Sequence, residues 1–142
     1  MEAALEFRST DSPAEHEMAA VEAGLERHNH TAAPLGDVRP VAAFATDASG
    51  RIVGGATGRW WGSCCELLQL WVNPAHRARG VGSRLLAQFE AHARSHGCRI
   101  FYLTTLSYQA PDFYRRHGYA ELARIDGYPD GIAKFLFHKT LP

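Results

Sequence analysis

The run Arg77-Ala78-Arg79-Gly80-Val81-Gly82-Ser83-Arg84 sets three guanidinium groups around two glycines, at the point where a buried-type apolar run gives way to a helical pattern. At such a junction the first N–H groups of the helix have no partner and its dipole is positive, so the turn suits an anion. Glycine lets the backbone approach a phosphate closely. Arg77, Arg79 and Arg84 add fixed charge, a set that suits a pyrophosphate better than a neutral ligand. The same residues also describe a plain strand-to-helix turn with solvated arginines. Two other phosphate patterns do not fit. A P-loop needs Gly-Lys-Ser/Thr where this chain has Gly82-Ser83-Arg84. A nicotinamide fingerprint needs a third glycine where Leu85 stands and an acid about 20 positions on, and residues 98–106 hold no Asp or Glu. A further reactive position is Glu66, the only carboxylate between Cys64 and Val72. Burial there would raise its pKa toward the range of a general base; a paired or edge-facing carboxylate is the alternative.

These groups need elements to hold them. Residues 4–10 alternate weakly and are expected to form a first strand. Ser12, Pro13 and Glu15 then read as N-cap, N1 proline and capping box of a helix with Ala14, Met18, Val21, Leu25 and His28 on one face, ending near Asn29. Residues 28–40 are a loop. Residues 41–46 and 51–61 form a hairpin around Asp47-Ala48-Ser49-Gly50, and Gly54, Gly55 and Gly58 mark a bulge or a close approach in its second strand. Residues 64–72 read as a central strand. From Val81 the period turns helical through Leu85, Leu86, Phe89 and Ala93, stopping at Gly97, and residues 98–106 are the parallel partner of the central strand. Pro111 opens a short helix closed by Gly118, and residues 119–125 and 132–139 are two closing strands. The fold class is α/β: a mostly antiparallel sheet of about six to seven strands with one parallel crossover, in one domain over residues 1–142.

Fifteen basic and fifteen acidic residues cancel, which points away from nucleic acid or an anionic membrane as partner. No leader pattern and no run of about 18 apolar residues is present, so a cytoplasmic location is expected. Cys64, Cys65 and Cys98 are poorly spaced for disulfides or zinc, the eight histidines show no H-x-x-x-H pattern, and no metal is expected.

Arg77-x-x-Gly80-x-Gly82 resembles the Q/R-x-x-G-x-G/A signature of the GNAT acyltransferases, and Ala110-x-x-Phe113-Tyr114-x-x-x-Gly118-Tyr119 is similar to a second motif of that family at the shared spacing. The resemblance spans roughly residues 4–141. It implies an acetyl-CoA-dependent N-acetyltransferase acting on an amine. The backbone of Leu70, Trp71 and Val72 would hold the pantetheine arm. The amides of Arg79, Gly80, Val81, Gly82 and Ser83 would hold the pyrophosphate, flanked by Arg77 and Arg84. Ser107 stands where many members place a cofactor-contacting Asn.

The resemblance also makes Tyr114 the general acid for the departing thiolate, a role that a phenol with a pKa near ~10 can fill at neutral pH. For the base, Glu66 and ordered water stay open, since relatives often carry their acid at the place of Leu68. The acceptor pocket is implied at residues 29–40 and 126–131, with Asn29, His30, Trp60, Trp61 and Tyr128 as candidate lining residues. A small-molecule amine leads as acceptor; a protein lysine or N-terminus, or a silent acyl-CoA-binding module, are the alternatives. The resemblance allows pairing of two copies through their last strands.

Overall fold

Helix α1 (Glu15–Ala32) opens the regular structure in the computed structural model, which describes residues 3–142 and divides the chain into a unit ending at Gly36 and a unit spanning Asp37–Pro142. The helix starts later than Ser12 would place it. Its N-cap is Ala14, whose amide is accepted by the Glu17 carboxylate at 3.0 Å, because Glu17 rather than Glu15 stands three residues on and can reach back. The helix also outruns Asn29 to Ala32, where the Thr31 hydroxyl donates to the His28 carbonyl at 2.8 Å. Residues 4–10 are not a strand. Leu5 and Phe7 are exposed, and weak alternation without a ladder partner leaves the backbone irregular.

In the second unit, β1 (Arg39–Thr46) and β2 (Ile52–Trp61) form the expected hairpin, tightened by Asp47 Oδ1, which accepts from the amides of Ser49 and Arg51. After β3 (Cys64–Val72) come α2 (Val81–Ser95), β4 (Ile100–Leu106), α3 (Pro111–Arg116), β5 (Ala120–Ile125) and β6 (Lys134–Thr140). Among the described residues the six strands lie in the order β1-β2-β3-β4-β6-β5, antiparallel except for the β3–β4 pair. The α/β reading with one parallel crossover therefore holds. No helix of the described residues is long and apolar enough to cross a membrane.

The core lies between one sheet face and α2. Val41, Ala56, Cys65 and Leu67 meet Leu85, Leu86, Phe89 and Ala93, and Phe101, Leu103 and Phe137 complete it. Burial pushes the Cys65 thiol up to about 12, so it is an inert packing group. β3 carries a bulge: Gly58 pairs with Leu67 and Thr57 with Gln69, leaving Leu68 as the extra residue. Gly58 is required beside it, because a Cβ there would lie 2.0 Å from the Glu66 carbonyl oxygen and 2.8 Å from Phe89 Cζ. Gly58→Ala is expected to cost about 1–3 kcal/mol or more by urea denaturation, since backbone and helix must both shift.

Candidate active site

β3 and β4 pair at Cys64–Ile100, Cys65–Phe101 and Glu66–Tyr102 and then part. Beyond that point β3 stays with β2 as far as Val72, while β4 stays with β6 as far as Leu106. The bulge at Leu68 turns β3 away at the place where the pairing stops, since a bulge adds twist to the strand that carries it. The wedge so opened is a cleft of about 970 Å³. Leu68 to Val72 line it from β3, Thr104 and Thr105 from β4, the turn before α2 closes one end, and Phe113 and Tyr114 stand over it.

The turn before α2 is built as its composition demands. Gly80, the N-cap of α2, has φ 74, a left-handed conformation that disfavours any side chain. The first helical bond runs from the Arg84 amide to the Gly80 carbonyl at 3.1 Å. The amides of Val81, Gly82 and Ser83 therefore have no backbone acceptor in the unit and stand at the positive end of the helix dipole. Arg77 Nε donates to the Val72 carbonyl at 2.9 Å, which pins the turn to the end of β3. Arg77, Gly80, Val81, Gly82 and Ser83 all line the cleft, whereas Arg79 and Arg84 are not among its lining residues.

Ser83 is also a joint. Its hydroxyl lies 2.9 Å from His117 Nε2, and His117 Nδ1 lies 2.7 Å from the Phe113 carbonyl. The carbonyl can only accept, so Nδ1 carries the proton, and in the neutral ring Nε2 accepts from Ser83. This chain of bonds ties α3, and with it Tyr114, to the turn. Tyr114 packs edge-on against Phe113 (5.2 Å between centroids) and Tyr119 (5.9 Å), and burial pushes its phenol above the usual tyrosine range. Tyr119 is fixed in turn: its hydroxyl donates to Glu90 at 2.6 Å, while Lys139 pairs with the other Glu90 oxygen at 2.8 Å. Burial and this carboxylate both drive the Tyr119 phenol up, so it stays a donor.

Several expected residues stand elsewhere. Glu66 does not line the cleft; its carboxylate accepts from Arg59 Nε and Nη2 at 3.2 and 3.0 Å, because Arg59 is directly opposite it on β2. Ser107 is not a lining residue either: its Oγ accepts from the Ala133 amide at 3.0 Å and so serves the chain crossing rather than a ligand. Trp60 stacks on His96 at 4.9 Å, at the C-terminal end of α2, far along the helix from the turn. Trp61 and Tyr128 are surface residues outside the cleft lining. Asn29 and His30 belong to α1 in the other unit, where His30 Nε2 lies 3.6 Å from Glu26. The sequence reading missed Phe44, Thr57, Gln69, Thr105 and Gln109, all of which line the cleft. The one signal for them was the glycine cluster in β2, which marked a close approach.

The model of the acetyltransferase (GNAT) family matches residues 1–119. The chain belongs to this family. A blasticidin-S acetyltransferase of Streptomyces morookaense is 39% identical over 112 residues, covering 76% of this chain and 82% of that protein. The crystal structure of an acetyltransferase from Bacillus cereus superposes with a TM-score of 0.78 at 28% identity, over 94% of this chain and 98% of that one. A structure from Agrobacterium tumefaciens, at 23% identity and TM-score 0.81, covers 96% of this chain and 100% of its own and shares the fold.

The protein is therefore an N-acetyltransferase of a family that uses acetyl-CoA. Its residues fit that cofactor: free helix-terminal amides suit a pyrophosphate, and the edge of β3 that β4 leaves unpaired suits an amide-bearing arm. Gly80→Ala forces a side chain into φ 74; it is expected to cost about 1–2 kcal/mol in denaturation and to weaken CoA binding in calorimetric titration.

Proposed function

We propose that this enzyme transfers an acetyl group from acetyl-CoA to a primary amine of a small, antibiotic-type acceptor by direct attack, with Tyr114 as general acid. The observation that carries the reading is that one cleft joins the free amides of the α2 turn, the unpaired edge of β3 and the buried phenol of Tyr114. The relative named for blasticidin S, 39% identical, supports a small-molecule acceptor. The family match runs through residues on both sides of Gly36, which supports reading residues 1–142 as one catalytic domain.

When bound, acetyl-CoA supplies the activated thioester carbonyl. The amides of Val81, Gly82 and Ser83 hold its pyrophosphate, and the backbone of Leu70 to Val72 holds the pantetheine arm. The amine nitrogen attacks the carbonyl carbon, the C–S bond breaks, and the sulfur takes the Tyr114 proton. Glu66 is committed to Arg59. The amine proton therefore leaves through water, which also restores the phenol. A tyrosine whose pKa is raised is a secure acid and a poor base at neutral pH, which fits this assignment.

Tyr114→Phe is expected to lower kcat about 100-fold while CoA affinity stays within about twofold, read by thiol release and by titration. An equal loss of both would mean that the ring only packs. The pH profile follows from the sign of the shift. The acid works protonated, so a raised pKa moves its loss upward, and kcat/KM should climb as the amine (ordinary pKa about 10.4) deprotonates, with no fall below about pH 10. A descending limb near pH 8 would rule out Tyr114 as the acid.

A further inference from the structure

Ser83, the third residue of α2, lines the cleft and has two ties: its amide is one of the free N–H groups of the turn, and its hydroxyl is held by His117. A hydroxyl has one proton to give. While the imidazole is neutral, its own proton sits on Nδ1 against the Phe113 carbonyl at 2.7 Å, so the Ser83 proton goes to Nε2 at 2.9 Å. Ser83 Oγ then has only lone pairs left for the cleft, and lone pairs repel a pyrophosphate. A proton added to Nε2 reverses the bond. The ring now donates to Ser83 Oγ, and the hydroxyl proton is released to serve an anion at the amides of Val81, Gly82 and Ser83. The imidazolium keeps its Nδ1–H bond to Phe113, so α3 stays tied to α2 in both states.

Among the described residues no carboxylate is bonded to this ring; its polar partners are the Phe113 carbonyl and the Ser83 hydroxyl. The acids of the surrounding elements are engaged elsewhere. On α3, Asp112 pairs with Arg115 at 2.7 Å, and Arg115 also reaches Glu121 of β5 at 3.6 Å. On α2, Glu90 is held by Tyr119 and by Lys139 of β6. The other charged groups nearby are cations. Arg116 and Arg77 line the cleft, Arg77 being tied to the Val72 carbonyl, and Arg79 and Arg84 flank the turn in the sequence. His76 is a second imidazole in the lining. The empty mouth thus carries surplus positive charge, and a proton added to His117 finds its counter-charge only in a bound anion.

Resting on the reading of the α2 turn as the pyrophosphate site, we infer that His117 is a positioning residue whose protonation turns the Ser83 hydroxyl from the ring to the ligand, so that the cofactor binds together with a proton. The proton comes from solvent on binding and returns to it when CoA leaves. The sign follows from this uptake: affinity for the pyrophosphate rises as pH falls through the range in which an imidazole titrates.

The test is calorimetric titration with dephospho-CoA, which keeps the pyrophosphate and lacks the phosphate monoester of CoA that itself titrates near neutral pH. Affinity should rise about tenfold from about pH 8 to about pH 5.5, the weight of one charge-assisted hydrogen bond. Titrations at neutral pH in two non-phosphate buffers of different ionisation enthalpy should show net proton uptake by the wild-type protein, a readout that needs no variant to fold. His117→Gln, which cannot titrate, should abolish the uptake and flatten the pH profile. Ser83→Ala should at least halve the uptake, because the ring charge then acts without the hydroxyl between it and the ligand. His76→Gln should leave it unchanged. Binding without proton uptake, uptake undiminished in His117→Gln or Ser83→Ala, or uptake lost in His76→Gln would each overturn the inference and leave the pyrophosphate reading standing. Dephospho-CoA that fails to bind at either pH would overturn both.

Discussion

Everything that makes this fold a catalyst depends on two parallel strands that stop pairing. β3 and β4 hold each other for three residue pairs and then separate, which leaves one edge of β3 without a partner inside the sheet. Unpaired backbone is costly when dry, so the arrangement is tolerable only where water or a ligand satisfies it. Other elements make the separation stable. β2 holds β3 on its far side, β6 holds β4 along its whole length, and the Leu68 bulge, made possible by Gly58, redirects β3 at the point of parting.

The cleft's two chemical ends are held in register by polar joints rather than by the core. His117 bridges the Phe113 carbonyl and the Ser83 hydroxyl, so the helix that carries the phenol and the helix that carries the free N-terminal amides share one imidazole. Glu90 does the same two turns further along α2, taking a hydrogen bond from Tyr119 and an ion pair from Lys139. Both are largely shielded from water, where such bonds are strong and the loss of one partner is expensive. Tyr114 thus keeps its place through neighbours fixed on α2 and β6, and apolar packing around its ring raises its pKa and keeps it an acid.

The parts legible in the sequence were those written in local pattern. The parallel crossover followed from a helical period between two apolar runs, and the tight turn into α2 followed from glycine spacing at a helix start. What escaped was decided across strands. Glu66 looked like a lone buried carboxylate because nothing in the string reveals that register sets Arg59 opposite it. Ser107 looked free because its partner, the Ala133 amide, lies 26 residues on. Trp60 faces the far end of α2 because register places it beside Cys65, away from the opening. The weak alternation of residues 4–10 carried no information about whether a neighbouring strand existed to pair with. Phe44 and Gln69 were invisible for the converse reason: each is ordinary alone, and only the alignment of three strands puts them around one floor.

The central claim is that the α2 turn, presented into the gap between β3 and β4, is a pyrophosphate site for coenzyme A. Calorimetric titration of the protein with CoA, with pantetheine and with NADH tests it most directly. CoA should bind; pantetheine, which keeps the arm and lacks the pyrophosphate, should bind about 100-fold more weakly, the weight of one or two charge-assisted hydrogen bonds; NADH should give no heat. Pantetheine bound as tightly as CoA, or CoA that does not bind at all, would contradict the account.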